Sequence, residues 1–316
     1  MREIPITDLP NVWIGHADDE DGGTGCTVIL TERGAVAGLD IRGGGPATRE
    51  TALLKPTASA QTIHAVLLAG GSAFGLGSAD GVMAFLAERN IGVDVGVARV
   101  PLVVQADIFD LDFQSHDVYP DATMAYQACK DAHQRAEKGT TLAQGCVGVG
   151  TGATIGKAMG PGSAMKSGLG HYAVSVGGIR VGALAVCNAI GDVFDIDTGA
   201  QLGGLRDEGG AFCSTEEFFY QALEGAVPAP TAGVNTTLGV VLTDVALDKT
   251  SATKLAMMAQ NGLARTICPV HTSFDGDAVF ALSVGNITAP DVALDGLGTL
   301  GAYVLGKAIN NAVRLA

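Results

Sequence analysis

Gly233-Val234-Asn235-Thr236-Thr237-Leu238-Gly239-Val240-Val241 is the stretch on which the reading of this chain turns. A segment interrupted by proline and glycine, Leu223 to Val234, gives way here to an apolar, β-branched run. A strand is therefore expected over Thr237 to Thr243, with a hydroxyl residue fixed at its beginning. Outward from it, glycine turns bound further short β-branched runs: Cys26 to Thr31, Ala65 to Ala69, Val100 to Phe109, Val147 to Lys157, Ala173 to Val186 and Ala278 to Val284. Several alternate poorly, as strands covered on both faces do. The cover is expected from four helices. They run from Ser72 to about Arg89, from Pro120-Asp121 to near Gly139, from Ser251 to Ile267, and from Asp291 to Leu315. In the last, Leu297, Gly298, Gly301, Leu305, Ala308 and Ala312 recur at helical spacing, and the small residues predict close packing. Helix pairs around stacked sheets fit this order.

Composition agrees with a large core. Of 316 residues, 47% are hydrophobic and 16% charged, which excludes a disordered or collagen-like chain despite 45 glycines and 11 prolines. The length allows one large domain or two modest ones, and no repeat of 20 to 50 residues is visible. A formal net charge of −14 without a basic cluster argues against nucleic acid and anionic membranes as partners. Neither a signal-peptide core nor a membrane-length apolar run appears, so a cytoplasmic protein is expected. The six cysteines lie far apart without a C-x-x-C pair, and are read as small buried side chains in a reducing compartment.

The Asn235-Thr236 step has a chemical reading beside the plain one, in which Asn-Thr merely opens a strand. If the bond before Thr236 were cut, Thr236 would carry an α-amine with an ordinary pKa of about 7.7 to 8.0. One residue would then supply both nucleophile and proton acceptor. Downstream, Asp275-Gly276-Asp277 is either a turn or a pair of carboxylates able to hold an ammonium group or raise one another's pKa. A metal reading adds His271, but the remaining spacing of a calcium loop is missing. The glycine turn Leu68 to Leu76 spells neither G-x-G-x-x-G nor a P-loop, although its amides could face a carbonyl. Asn188 could donate to an oxyanion or simply form a turn. Lys157, alone among glycines, is a catalytic candidate or a snorkelling surface lysine. A thiol dyad from Cys146 or Cys187 with His171, and a Ser72–His64 pair, lack supporting spacing.

Taken together, Gly25 to Ile29, Asp40 to Gly44, Leu68 to Leu76, Ile108 to Leu111, Gly148 to Lys157, Ala185 to Gly191, Asn235 to Thr237 and His271 to Phe280 resemble the P1 family (peptidase family S58) of N-terminal nucleophile hydrolases. That family includes the L-aminopeptidase/D-esterase, the β-aminopeptidases and the endo-type nylon oligomer hydrolase. The resemblance implies an α/β fold, a four-layer αββα sandwich. It implies a single domain over 1–316 that cuts itself between Asn235 and Thr236, leaving chains 1–235 and 236–316. Thr236 would be the nucleophile, with Asn188, Lys157, Asp275 and Asp277 beside it and Gly71, Ser72 and Phe74 binding substrate near the oxyanion. No cofactor and no metal are implied, and the assembly expected is a homo-oligomer of α/β heterodimers, such as a tetramer.

The same resemblance makes the substrate a peptide, a β-peptide or an aminohexanoate oligomer, whose ammonium group an acidic cleft would attract. Two departures bear on it. Phe74 replaces a tyrosine that the nylon hydrolase carries, which removes a phenol donor, and threonine replaces the serine of several aminopeptidases. The second departure favours a nylon-hydrolase-like preference. Two rival readings are a transferase related to ornithine acetyltransferase, which would deliver the acyl group to an amine, and a non-catalytic assembly protein with an uncut chain.

Overall fold

The computed structural model describes residues 1–229, 235–288 and 293–316. In chain order its principal elements are strands β1 (Trp13–Asp19), β2 (Thr24–Ile41) and β3 (Ile63–Ala69), helix α1 (Ala79–Glu88), strand β4 (Val103–Asp107) and helix α2 (Ala122–Lys138). Strands β5 (Leu169–Val176) and β6 (Ile179–Asn188), helix α3 (Thr215–Leu223), strand β7 (Thr236–Val245), helix α4 (Lys249–Thr266), strand β8 (Ala278–Ile287) and helix α5 (Ala293–Arg314) follow.

The long strand β2 belongs to two sheets. Its first half pairs antiparallel with β1 and β3, and its second half, beyond a register shift between Leu30 and Ala35, pairs antiparallel with β8. One sheet thus runs β5-β6-β7-β8-β2 and the other β1-β2-β3-β4. The pairs β7–β8 and β3–β4 are parallel.

Side-chain alternation turns these sheets into layers. Leu238, Val240 and Leu242 of β7 point with Phe280, Leu282, Leu184 and Val186 into a core shared with Ile29, Val66, Leu68, Val104 and Ala106 of the second sheet. The opposite face of the first sheet, with Val241, Val279 and Ala281, is covered by Leu255, Ala259 and Leu263 of α4 and Val304, Leu305 and Ala308 of α5. The outer face of the second, with Val28, Leu30 and Leu67, is covered by Val82, Phe85 and Leu86 of α1 and Ala125, Ala128 and Cys129 of α2. The result is the αββα stack. Small residues set the layer spacing: a Cβ at Gly170 would lie 2.1 Å from the Ala308 carbonyl oxygen, and one at Gly262 would lie 2.4 Å from that of Ala302.

The helices begin and end as their sequences dictate. Asp121 and Asp248 cap α2 and α4 by accepting from the amides of Met124 (2.8 Å) and Ser251 (2.7 Å). Gly139 closes α2 in the left-handed conformation.

Several sequence expectations are corrected. Ala173 to Val186 is two strands, because Gly177 and Gly178 both take positive φ (58° and 87°) and form the hairpin turn between β5 and β6. Val147 to Lys157 is largely not a strand. It contains a 3₁₀ turn at Gly148–Gly150 and a two-residue strand at Thr154–Ile155, and its glycines serve backbone contact: a Cβ at Gly150 would lie 2.3 Å from the Leu169 amide nitrogen. The run expected over Val100 to Phe109 pairs in the large sheet only from Val103 to Asp107. Strand β1 and helix α3 were not expected from the sequence. Cys26, Cys129 and Cys187 are buried, but Cys146 is exposed and Cys213 and Cys268 are half-buried. The Leu223 to Val234 segment falls partly, and Gly233, Val234 and Asp291 wholly, outside the described residues.

Candidate active site

Thr236 is the first residue of β7, in the middle of the first sheet, and is only 3% exposed. Its backbone partner on β6 is Asn188, the last residue of that strand. On the other side β8 runs parallel, so Asp275, Gly276 and Asp277, which lead into it, arrive level with Asn235, Thr236 and Thr237. The two motifs singled out in the sequence meet because two parallel strands start at the same height.

The Asn235 carbonyl is the focus of the geometry. It accepts from the Gly276 amide at 2.7 Å and from the Thr236 hydroxyl at 2.6 Å, while the Asn235 amide donates to the Phe274 carbonyl at 3.0 Å. Two donors on one carbonyl oxygen draw electron density from its carbon, which favours addition there. Position 276 admits no side chain without rearrangement, since a Cβ would lie 2.6 Å from the Gly45 carbonyl oxygen and 2.9 Å from the Thr236 hydroxyl oxygen. The Asn235 carboxamide is buried, and neither its oxygen nor its nitrogen has a hydrogen-bond partner among the described residues.

The carboxylates differ in their partners. Asp277 accepts from the Thr237 amide (2.7 Å), from His271 Nδ1 (2.8 Å) and from the His271 amide (3.2 Å). Asp275 accepts from the amide and hydroxyl of Thr272 at 2.9 and 2.6 Å. Burial, and then the neighbouring Asp277 charge, push the Asp275 carboxyl above its ordinary range. From the opposite side Arg42 and Gly45 donate their amides to the carbonyls of Asp277 and Asp275 at 2.8 and 3.0 Å.

Asn188 connects the remaining parts. Its Oδ1 accepts from Lys157 Nζ at 2.9 Å and from the Thr154 amide at 3.0 Å, and its Nδ2 donates to the Phe109 carbonyl at 2.8 Å. One of its two amide hydrogens is therefore already committed. Desolvation lowers the Lys157 pKa to about 8, the acids around it only partly opposing this. Phe109 sits in the segment that holds the glycine turn: the Gly71 amide donates to Asp110 Oδ1 (2.7 Å) and the Ser72 amide to the Ile108 carbonyl (2.9 Å). These amides, expected to face a substrate carbonyl, are used within the protein. Phe74 is 63% exposed and stacks on Tyr119 with ring centroids 5.1 Å apart.

The structure thus gathers Asn235, Thr236, Asn188, Lys157, Asp275 and Asp277 in one network and links Gly71 and Ser72 to it through the Ile108–Asp110 backbone. The thiol reading fails for Cys187, which is buried and whose thiol desolvation pushes up to about 12. His64 lies near the start of β3 and accepts from the Leu102 amide, at the opposite end of that strand from Ser72. Among the described residues no cluster of three or more His, Cys, Asp or Glu is placed to hold a metal, as the His271 metal reading requires. Sequence reasoning missed the Gly276 amide and Thr272. The glycine between two aspartates was the available signal for the first.

Among the described residues no helix is long and apolar enough to cross a membrane. The family model for peptidase family S58 matches residues 5–316. A protein of Mycobacterium leprae named an uncharacterized aminopeptidase is 42% identical over 91% of this chain and 80% of its own length. A 6-aminohexanoate-oligomer endohydrolase of Paenarthrobacter ureafaciens is 32% identical over 92% of this chain and 77% of its own. In fold, the chain is similar to the L-aminopeptidase D-Ala-esterase/amidase of Ochrobactrum anthropi, described as a variant of the Ntn hydrolase fold. That likeness has a TM-score of 0.69 at 16% identity and covers 98% of this chain and 85% of the other.

Proposed function

Since this chain belongs to peptidase family S58 and is an amide-bond hydrolase, we propose that Thr236 is its nucleophile and that the chain matures by cutting itself before that residue. The observation that carries this is the Asn235 carbonyl, held between the Thr236 hydroxyl and the Gly276 amide at the start of a central strand.

In maturation, the Thr236 Oγ adds to the Asn235 carbonyl carbon, the carbon–nitrogen bond breaks, and the hydroxyl proton ends on the departing Thr236 nitrogen. Water then hydrolyses the ester, leaving an Asn235 carboxylate and a free Thr236 amine. In turnover, that amine takes the hydroxyl proton as Oγ attacks the substrate carbonyl and passes it to the leaving amine. Water adds to the acyl-enzyme and restores the hydroxyl. Asp277, through the Thr237 amide, fixes where β7 begins; Lys157 and Asn188 brace the other side. Asp275 and Asp277 give the site an acidic wall suited to an amine-bearing peptide or aminoacyl oligomer.

Intact mass and N-terminal sequencing test the proposal. The wild type is expected to give two chains, the smaller beginning Thr236-Thr237-Leu238, and Thr236→Ala is expected to stay whole and inactive. A processed Thr236→Ala chain would refute the mechanism.

A further inference from the structure

The uncut chain holds, in its own Asn235, an acyl group already in place. Self-processing esterifies the Thr236 hydroxyl with the Asn235 carbonyl, and turnover esterifies the same hydroxyl with the substrate carbonyl. The environment of Asn235 is therefore the environment of the substrate's acyl half.

We infer that this acyl half binds as an added strand residue beside Phe274–Gly276, and that the enzyme prefers acyl groups bearing an N–H on the carbon next to the scissile carbonyl. The inference rests on Thr236 being the nucleophile of both reactions. Asn235 makes two backbone contacts with this segment: its N–H donates to the Phe274 carbonyl at 3.0 Å, and its carbonyl accepts from the Gly276 amide at 2.7 Å. It also forms a parallel bridge with Asp275. Such pairing is how an extended peptide is read by a strand edge. The Gly276 amide donates to the oxygen that becomes the oxyanion, where a preorganised donor gains most. It supplies this role while the amides of Gly71 and Ser72 are engaged elsewhere.

When Asn235 leaves, the Phe274 carbonyl and the Gly276 amide both lose their partner. An α-aminoacyl group restores both, because only one carbon separates its nitrogen from its carbonyl. A 6-aminohexanoyl group restores the Gly276 contact alone, its nitrogen lying at the far end of the chain. The Asn235 carboxamide is buried without a partner among the described residues, so the contacts described for Asn235 are made by its main-chain atoms.

Matured enzyme, its Thr236 terminus verified by mass, is assayed on three 4-nitroanilides: N-acetyl-L-asparaginyl, its isostere with the α N–H replaced by an ester oxygen, and 6-aminohexanoyl. The isostere is expected to lose about tenfold in kcat/KM, the effect of one hydrogen bond lost at the site, and the 6-aminohexanoyl compound to be no faster than the isostere. Equal rates, faster 6-aminohexanoyl cleavage, or no cleavage of any of the three by the matured enzyme overturns the strand-addition inference alone. A chain that stays uncut and inactive overturns the nucleophile assignment beneath it.

Discussion

Two parallel strand pairs among the described residues, β7–β8 and β3–β4, both carry buried aspartates, at opposite ends of their strands. Asp107 is the last residue of β4, level with Ala69 on β3, and Asp110 follows it; Asp275 and Asp277 precede β8 and lie level with the start of β7. All four are 2% exposed or less. In parallel sheets, ligands are usually bound beyond the carboxyl ends of the strands, which would favour the Asp107 pair and its glycine turn. The proposed nucleophile, Thr236, lies at the amino ends instead. A nucleophile that is also the first residue of a chain must stand where a strand begins, and only the second pair has acids there. Burial of a carboxylate thus says little until the group beside it is known: Asp277 holds the amide of Thr237, whereas one oxygen of Asp107 has no hydrogen-bond partner among the described residues.

The largest effect that could break this contrast comes from neutralising one acid in each pair. Asp277→Asn turns an N–H₂ toward the His271 donors and loosens the start of β7, and misplacement on that scale is expected to slow self-processing about a hundredfold. Asp107→Asn replaces a carboxyl that burial holds well above its ordinary pKa by a neutral group of the same shape. Its processing rate is expected within about threefold of wild type. Timed electrophoresis of freshly purified precursors reads both rates. Equal losses in the two variants would mean that the acids act as one network and that the division between the strand ends is wrong.

A sharper test uses the pH dependence of stability. Burial raises the Asp110 pKa to about 6, against the pull of the Gly71 amide and Thr24 hydroxyl bonds. The folded chain then holds a proton that the unfolded chain releases near its ordinary value. The stabilising contribution is fully present below about pH 4 and is lost as pH rises to about 6, amounting to roughly 3 kcal/mol at most. Asp110→Asn cannot release that proton, so urea midpoints of wild type measured from pH 4 to 7 are expected to fall relative to those of the variant. A constant difference across that range would show that the Asp110 carboxyl titrates in the fold as it does in the unfolded chain, and that burial does not hold its proton.

The sequence made the stack and the strand that begins at Thr236 readable because both depend on local patterns. Poorly alternating β-branched runs marked the buried strands, and Asn235-Thr236 stood where such a run began. What escaped depends on three-dimensional approach. The Gly177-Gly178 hairpin lay hidden inside an apolar run, since two glycines there could equally have served packing. The glycines from Gly148 to Gly156 looked like strand punctuation, yet two of them, Gly150 and Gly156, serve backbone contacts with Leu169 and Leu205. The glycine of Asp-Gly-Asp signalled that backbone could approach there, but nothing in it says where the Gly276 N–H will point. Asn188 was located correctly at a strand end, but its tie to Phe109 follows from the stacking of two sheets, which composition does not encode.

The smallest expected effect concerns the turn itself. Ser72 holds a positive φ of 52° next to Gly71 at 80°, a backbone conformation that costs a non-glycine residue on the order of 1 kcal/mol. Ser72→Gly removes that strain and gives the unfolded chain more freedom, so the net gain in stability is expected to stay below about 1 kcal/mol. Kinetics then decide what the turn does, since the same variant leaves the Asp110 and Ile108 backbone contacts available. A raised KM at unchanged kcat makes the turn a wall that positions substrate, which keeps the chemistry at the amino ends of β7 and β8. A fall in kcat with KM unchanged would place the turn at the oxyanion, and the two strand ends would then have to be counted as one site.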